Sequence, residues 1–172
     1  IESNADLRTC AGCQASIMTD EASIDAAMAV MTAAFEPRWR EAWTREQLSD
    51  SLALPSTVLL LADRQGRPTG PDGSVAGFVL SRQALDEEEL LLLAVLPTER
   101  GRGLGTALVQ AYFRAAERRG VRRVFLEMRS NNPAHSLYRR CGFEPIGVRS
   151  RYYRAEDGRA IDAITFAREL PD

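Results

Sequence analysis

The chain has 172 residues, 27% charged and 45% hydrophobic, with a formal net charge of −2. This is the composition of one ordinary soluble domain with a real core, and it lacks the positive excess of a broad nucleic-acid footprint, so no direct nucleic-acid partner is expected. All 22 basic residues are arginine, which excludes lysine as Schiff base or phosphate ligand. No apolar run approaches the roughly 20 residues of a membrane helix, and no membrane partner is expected.

Residues 1–14 are polar and irregular and read as a loose leader before a single domain over 15–172. Ile1 to Asp20 shows no basic stretch followed by an apolar one, so secretion is not indicated, although the absent initiator Met leaves room for residues upstream. Cys10-Ala11-Gly12-Cys13 has C-x-x-C spacing, but no second pair follows and the only histidine is His135, so no metal is expected. Three cysteines, Cys10, Cys13 and Cys141, cannot all pair, and the expected compartment is cytoplasmic.

A short strand at Ala15–Met18 precedes a helix from Glu21 to Phe35, where Ile24, Met28, Met31 and Phe35 share a face and Asp20 is placed to cap. Pro37 to Trp43 is a loop whose Trp39 and Trp43 either line a cleft or anchor the loop on the core. Thr44 caps a second helix, with Gln47 at the capping-box position. Thr57–Ala62 and Val75–Leu80 read as strands of a long hairpin across the turn-rich Arg64 to Gly73. The acidic run Asp86 to Glu89 reads as a solvated turn.

Leu90 to Leu96 is an uninterrupted apolar run of strand length, expected to be buried on both faces, and Pro97 ends it. Arg100-Gly101-Arg102-Gly103-Leu104-Gly105-Thr106 follows, and from Leu104 the apolar positions Leu104, Leu108, Ala111, Tyr112 and Ala115 have helical spacing up to Gly120. A helix start offers unpartnered N–H groups and a partial positive charge, so it suits an anion. Alternating glycines let phosphates approach the backbone, and Arg100 and Arg102 add charge, so the expected ligand is a phosphate or pyrophosphate on Gly101 to Thr106. The triphosphate loop's Gly-Lys-Ser/Thr ending and the dinucleotide Gly-x-Gly-x-x-Gly are both absent.

Val121–Met128 is another strand, Asn132-Pro133 starts a helix running to about Arg140, and Phe143–Arg149 and Ala160–Ala167 are strands joined by the turn Glu156 to Arg159. The order β-α-α-β-β-β-α-β-α-β-β describes an α/β (α+β) chain with a mixed sheet and helices on both faces.

Arg100-x-x-Gly103-x-Gly105 between a buried strand and a helix resembles the acyl-coenzyme-A pyrophosphate loop of the GNAT N-acetyltransferase superfamily. The segments Leu126-Glu127-Met128-Arg129, Ser130-Asn131, Ala134, Leu137-Tyr138, Gly142-Phe143, Tyr152-Tyr153, Asp157-Gly158-Arg159 and Asp162-Ala163 are similar in order to its RimI-like branch. Those enzymes acetylate the N-terminal alanine of a small-subunit ribosomal protein. The resemblance covers about Leu85 to Leu170, with a weaker echo at Phe35 to Leu48.

It implies the GNAT fold, a central mixed, mostly antiparallel sheet with splayed central strands, and acetyl-CoA as co-substrate. By the same resemblance Glu127 is the general base, Tyr138 the general acid, and Asn131 contacts coenzyme A, while Leu93, Ala94 and Val95 give main-chain contacts to the pantetheine arm. The Glu127-to-Asn131 segment is one residue shorter than the family pattern, so either the strand end adjusts or Asn132 takes the asparagine role.

The implied acceptor is the α-amine of a protein N-terminus, a ribosomal protein among the candidates. Alternatives are a small or antibiotic-like amine, or a non-catalytic acyl-CoA-binding module; the oligomeric state is either monomer or homodimer. An α-amine near pKa 8 is about 10% neutral at pH 7, whereas a lysine side chain is below ~0.1%, so a terminal amine demands less of its base. An ordinary exposed glutamate takes that proton uphill by about 3.5 pKa units, ~5 kcal/mol, so a base at Glu127 either is raised by burial or acts through water.

Overall fold

Asp20 accepts a hydrogen bond from the Ser23 amide at 2.9 Å, which satisfies one orphan donor and starts helix α1 (Glu21–Ala34). Thr44 and Gln47 form the expected capping box, each side chain bonding the other's backbone, and so start α2 (Arg45–Leu52). The computed structural model describes residues 20–39, 41–155 and 158–171. The leader with Cys10 and Cys13, the Ala15–Met18 strand and the Glu156-Asp157 turn residues lie outside them.

Six strands follow in one sheet: β1 (Thr57–Ala62), β2 (Gly77–Ala84), β3 (Glu87–Val95), β4 (Arg123–Arg129), β5 (Glu144–Arg154) and β6 (Ala160–Glu169). Their spatial order is β1-β2-β3-β4-β6-β5, antiparallel everywhere except β3 against β4. Helices α3 (Leu104–Arg118) and α4 (His135–Arg140) complete the chain. One core packs α3 and α4 on one sheet face through Leu108, Tyr112, Phe113, Phe143 and Phe166; the other packs α1 and α2 on the opposite face through Met31, Leu48, Phe78 and Leu80. The expected mixed sheet with helices on both faces is thus present.

One expectation needs correcting. The acidic run is not a solvated turn: only Asp86 is in the hairpin bend, and Glu87 to Glu89 form the first residues of β3. Glu88 is fully buried, its carboxylate accepting from Ser81 Oγ at 2.5 Å and from Arg119 Nη2 at 2.6 and 2.8 Å. Glu87 pairs with Arg123 at 3.0 Å, and the Asp86 carbonyl accepts from the Arg122 amide at 2.7 Å. A charge run reads as solvent-facing only when its counter-ions are ignored, and here they arrive from the C-cap of α3 and from β4, more than thirty positions on.

The central strand is buried on both faces as expected, its side chains divided between the two cores, but their alternation is interrupted. Register between β2 and β3 slips at Leu80/Ser81, where Leu80 faces Leu92 but Ser81 faces Leu90, leaving Leu91 as an extra residue. A bulge of this kind reverses the side-chain alternation. Leu90 accordingly packs on the α3 face, whereas Leu92 and Ala94 pack on the α1 face.

Removing the buried carboxylate in Glu88→Ala strands Arg119 and Ser81. It is expected to lower unfolding stability by about 3 kcal/mol, read from denaturant midpoints.

Candidate active site

The parallel contact between β3 and β4 lasts three residue pairs, Glu87 with Arg123, Glu88 with Val124 and Glu89 with Phe125. Beyond it the strands part, and a cleft of about 1080 Å³ opens, with Leu90 to Val95 on one side and Leu126 to Arg129 on the other. The expected splay of the central strands is therefore real. Past Glu89 the cleft-side edge of β3 has no strand partner, so its main chain is available to a ligand.

At one end the cleft reaches the glycine turn. Gly101 and Gly103 adopt φ values of +75° and +84°, left-handed conformations that a side chain strains, and Gly103 is the N-cap of α3. Ala107 N to Gly103 O, 3.0 Å, is the first bond of the helical ladder, and among the described residues the amides of Gly101 to Thr106 donate to no backbone acceptor. Gly101, Gly103, Gly105 and Thr106 line the cleft together with Arg100. Arg100 Nη2 donates to the Ala34 carbonyl at 2.7 Å and its Nε to the Val95 carbonyl at 3.3 Å. Arg102 points to Glu99, 3.3 Å away, and Leu104 is buried in the core, so neither side chain lines the cleft.

Tyr138, on α4, lines the cleft wall with 6% of its surface exposed and packs edge-on against Phe143 at 5.6 Å. Burial is the main reason its phenol is pushed well above the ordinary range, with the Cys141 and Glu41 side chains adding to it. Glu127 lies opposite on β4. Its Oε2 accepts from Arg149 through Nε at 2.9 Å and through Nη2, and from Thr165 Oγ1 at 3.4 Å. The pairing raises the Arg149 guanidinium, chiefly through that hydrogen bond.

Asn131 is exposed, its Oδ1 accepting from Arg129 Nη1 at 2.9 Å, while the cleft itself is lined by Asn132, Pro133 and Ala134. Asn132 Oδ1 accepts from the Ala134 amide at 2.9 Å, and α4 begins at His135, two residues later than the Pro133 start expected from sequence. His135 is exposed, with its ring edge-on to Phe166 at 5.4 Å.

The far end of the cleft is aromatic and charged. Trp39 and Trp43 both line it, and Trp43 also packs on the core beneath α1, so for Trp43 both sequence alternatives hold; Tyr152 and Tyr153 of β5 line the same cleft. Sequence reasoning missed two connections here. Arg129 Nε bonds Glu41 at 2.8 Å with its guanidinium 3.8 Å from the Trp39 ring centre, and Arg149 pairs with Glu127. The only sequence signal for either was a cation two positions after Glu127.

The profile described as the acetyltransferase (GNAT) family matches residues 24–143. The chain belongs to the GNAT acetyltransferase family. Among curated relatives, a ribosomal protein bS18-alanine N-acetyltransferase of Escherichia coli is 39% identical over 97 residues, covering 56% of this chain and 65% of the relative. The Haemophilus influenzae protein of that name is 32% identical over 96 residues, 56% of this chain and 66% of its own length. The matches thus span just under two thirds of these relatives. Among solved structures, the ribosomal-protein-S18-alanine N-acetyltransferase from Escherichia coli superposes with a TM-score of 0.73 at 28% identity, covering 89% of this GNAT chain and 91% of that one.

The buried phenol makes a pH prediction. Tyr138 is raised from its ordinary 10, so its contribution is complete below about pH 10 and is lost as the pH climbs toward the folded-state value, because the unfolded chain releases the proton first. Unfolding midpoints measured from pH 9 to 11 are expected to fall with pH, and to fall less steeply for Tyr138→Phe.

Proposed function

We propose that this GNAT protein is an acetyl-CoA-dependent N-acetyltransferase that transfers acetyl directly to the α-amine of a protein N-terminus, that of a ribosomal protein beginning with alanine. The observation that carries this is the convergence on one cleft of unpartnered helix-start amides at Gly101 to Thr106, the open edge of β3, and Tyr138. The similarity to the bS18-alanine acetyltransferases supports that acceptor class.

The residues fit the donor. Free amides on Gly101, Gly103 and Gly105, with open space where Gly101 and Gly103 lack a Cβ, suit a pyrophosphate, and Arg100 supplies charge beside them. Leu93 and Ala94 offer the main chain of an open strand edge to an amide-bearing arm; the Val95 carbonyl already accepts from Arg100. Asn132, not Asn131, is the asparagine on the cleft wall and takes the amide-contacting role. Bound acetyl-CoA supplies an activated acyl group on a thiol leaving group.

Tyr138 then acts as a hydrogen-bond donor to the departing sulfur. Full proton transfer from an ordinary phenol to a thiolate near 8.5 is uphill by about 2 kcal/mol, and burial moves the Tyr138 phenol further in that direction. Glu127 uses Oε2 for Arg149 and Thr165, which leaves Oε1 to receive the amine proton through water. An α-amine already ~10% neutral at pH 7 suits that arrangement.

Incubation of the protein with acetyl-CoA and an alanine-initiated peptide is expected to add one acetyl group at the N-terminus by mass spectrometry. Tyr138→Phe and Glu127→Gln should each lower kcat on the order of 10²-fold, with cofactor binding retained. Acetylation of small free amines with none of the peptide would remove the protein-acceptor assignment.

A further inference from the structure

We infer that Glu41 is a second carboxylate of the acceptor site, gripping the ammonium of the incoming amine, and that buried Arg129 is the positioning residue that fixes it there; this rests on the transferase function proposed above. Glu41 sits in the connection between α1 and α2 and lines the same cleft as Glu127, Tyr138 and Tyr153. Its Oε1 accepts from Arg129 Nε at 2.8 Å, and among the described residues no other donor reaches the carboxylate. Oε2 is therefore unspent in a cleft.

Arg129 is held too firmly to follow a ligand. It is 6% exposed, donates through Nη1 to the Asn131 carbonyl at 3.1 Å and to Asn131 Oδ1 at 2.9 Å, and stacks 3.8 Å from the Trp39 ring centre. A planar fork engaged on three sides sets both the place and the orientation of the carboxylate it binds. Glu127 differs, because Arg149 and Thr165 share its Oε2 and Arg149 is largely exposed.

Position and surroundings point to a cation as the ligand. Glu41 lines the same cleft as Tyr138 and Tyr153, and its charge is a lesser contributor to raising both phenols, after burial and Cys141 for Tyr138 and after burial, Glu127 and Tyr152 for Tyr153. Trp43 and Tyr153 present aromatic surface to the same space, and ring faces attract ammonium groups, whereas the Trp39 ring already carries Arg129. Arg100 and the helix-start amides line the same cleft at the glycine turn, where they favour anions. Anion-favouring and cation-favouring groups thus belong to different stretches of the lining, with the amine at Glu41.

Glu41→Gln keeps the side-chain length and an oxygen for Arg129 while deleting the charge. On an alanine-initiated peptide at pH 7 it is expected to raise the peptide KM on the order of tenfold or more, the scale of one lost charged hydrogen bond, with the acetyl-CoA KM unchanged and Tm lowered because buried Arg129 loses its counter-charge. Glu41→Asp, which retains the charge, should recover part of the loss. The same peptide lacking its α-amine, used as an inhibitor, should bind parent and Glu41→Gln equally. A peptide KM within twofold of the parent's, a parallel shift in both KM values with Tm, or a Glu41→Gln effect that persists for the amine-free peptide overturns the inference while leaving the transferase assignment standing. No turnover of any amine by the parent protein removes the transferase assignment and the role of Glu41 together.

Discussion

Parallel pairing between β3 and β4 that starts firmly and then stops is the constraint on which the site depends. The closed end is sealed by ion pairs: Glu87 with Arg123, and buried Glu88 with Arg119 and Ser81. Sheet edges with unpaired polar groups are costly unless water or a ligand satisfies them, so a fold that opens its own centre commits that edge to a partner. The Leu91 bulge lies just where the strands part and turns the next residues toward the α1 face, so one strand serves two cores.

Most of this frame was legible in the residues. Capping at Asp20 and Thr44 and helical spacing from Leu104 are local signals, and the local structure obeys them. Glu87 to Glu89 misled because burial of a carboxylate is decided by a guanidinium arriving from α3, which no local pattern records. The glycine turn and Tyr138 lie on the cleft because a strand, a turn and a helix fix their positions within short spans of chain. Arg129 and Glu41 are 88 positions apart and Arg149 and Glu127 are 22 apart; such pairs exist only once strand order is known.

A chain whose basic residues are all arginine builds its site from forks rather than point charges. Arg119 bonds both oxygens of Glu88, Arg129 meets Glu41, Asn131 and Trp39, and Arg149 reaches Glu127 through two nitrogens. A planar guanidinium donates in several fixed directions, so each of these residues ties separate segments together at one point. The stretch of cleft proposed for the acceptor is stiffened in this way from both β4 and β5.

Arg100 extends the same logic across the cleft. Its guanidinium secures the carbonyl that ends α1 and the carbonyl that ends β3, while standing beside the turn proposed to receive a diphosphate. Ala34 leads directly into the stretch bearing Trp39 and Glu41, and Val95 into the turn that carries the glycines. One guanidinium thus rivets together the two connections that frame the cleft, so the spacing of its walls is set by a side chain where the sheet itself sets none.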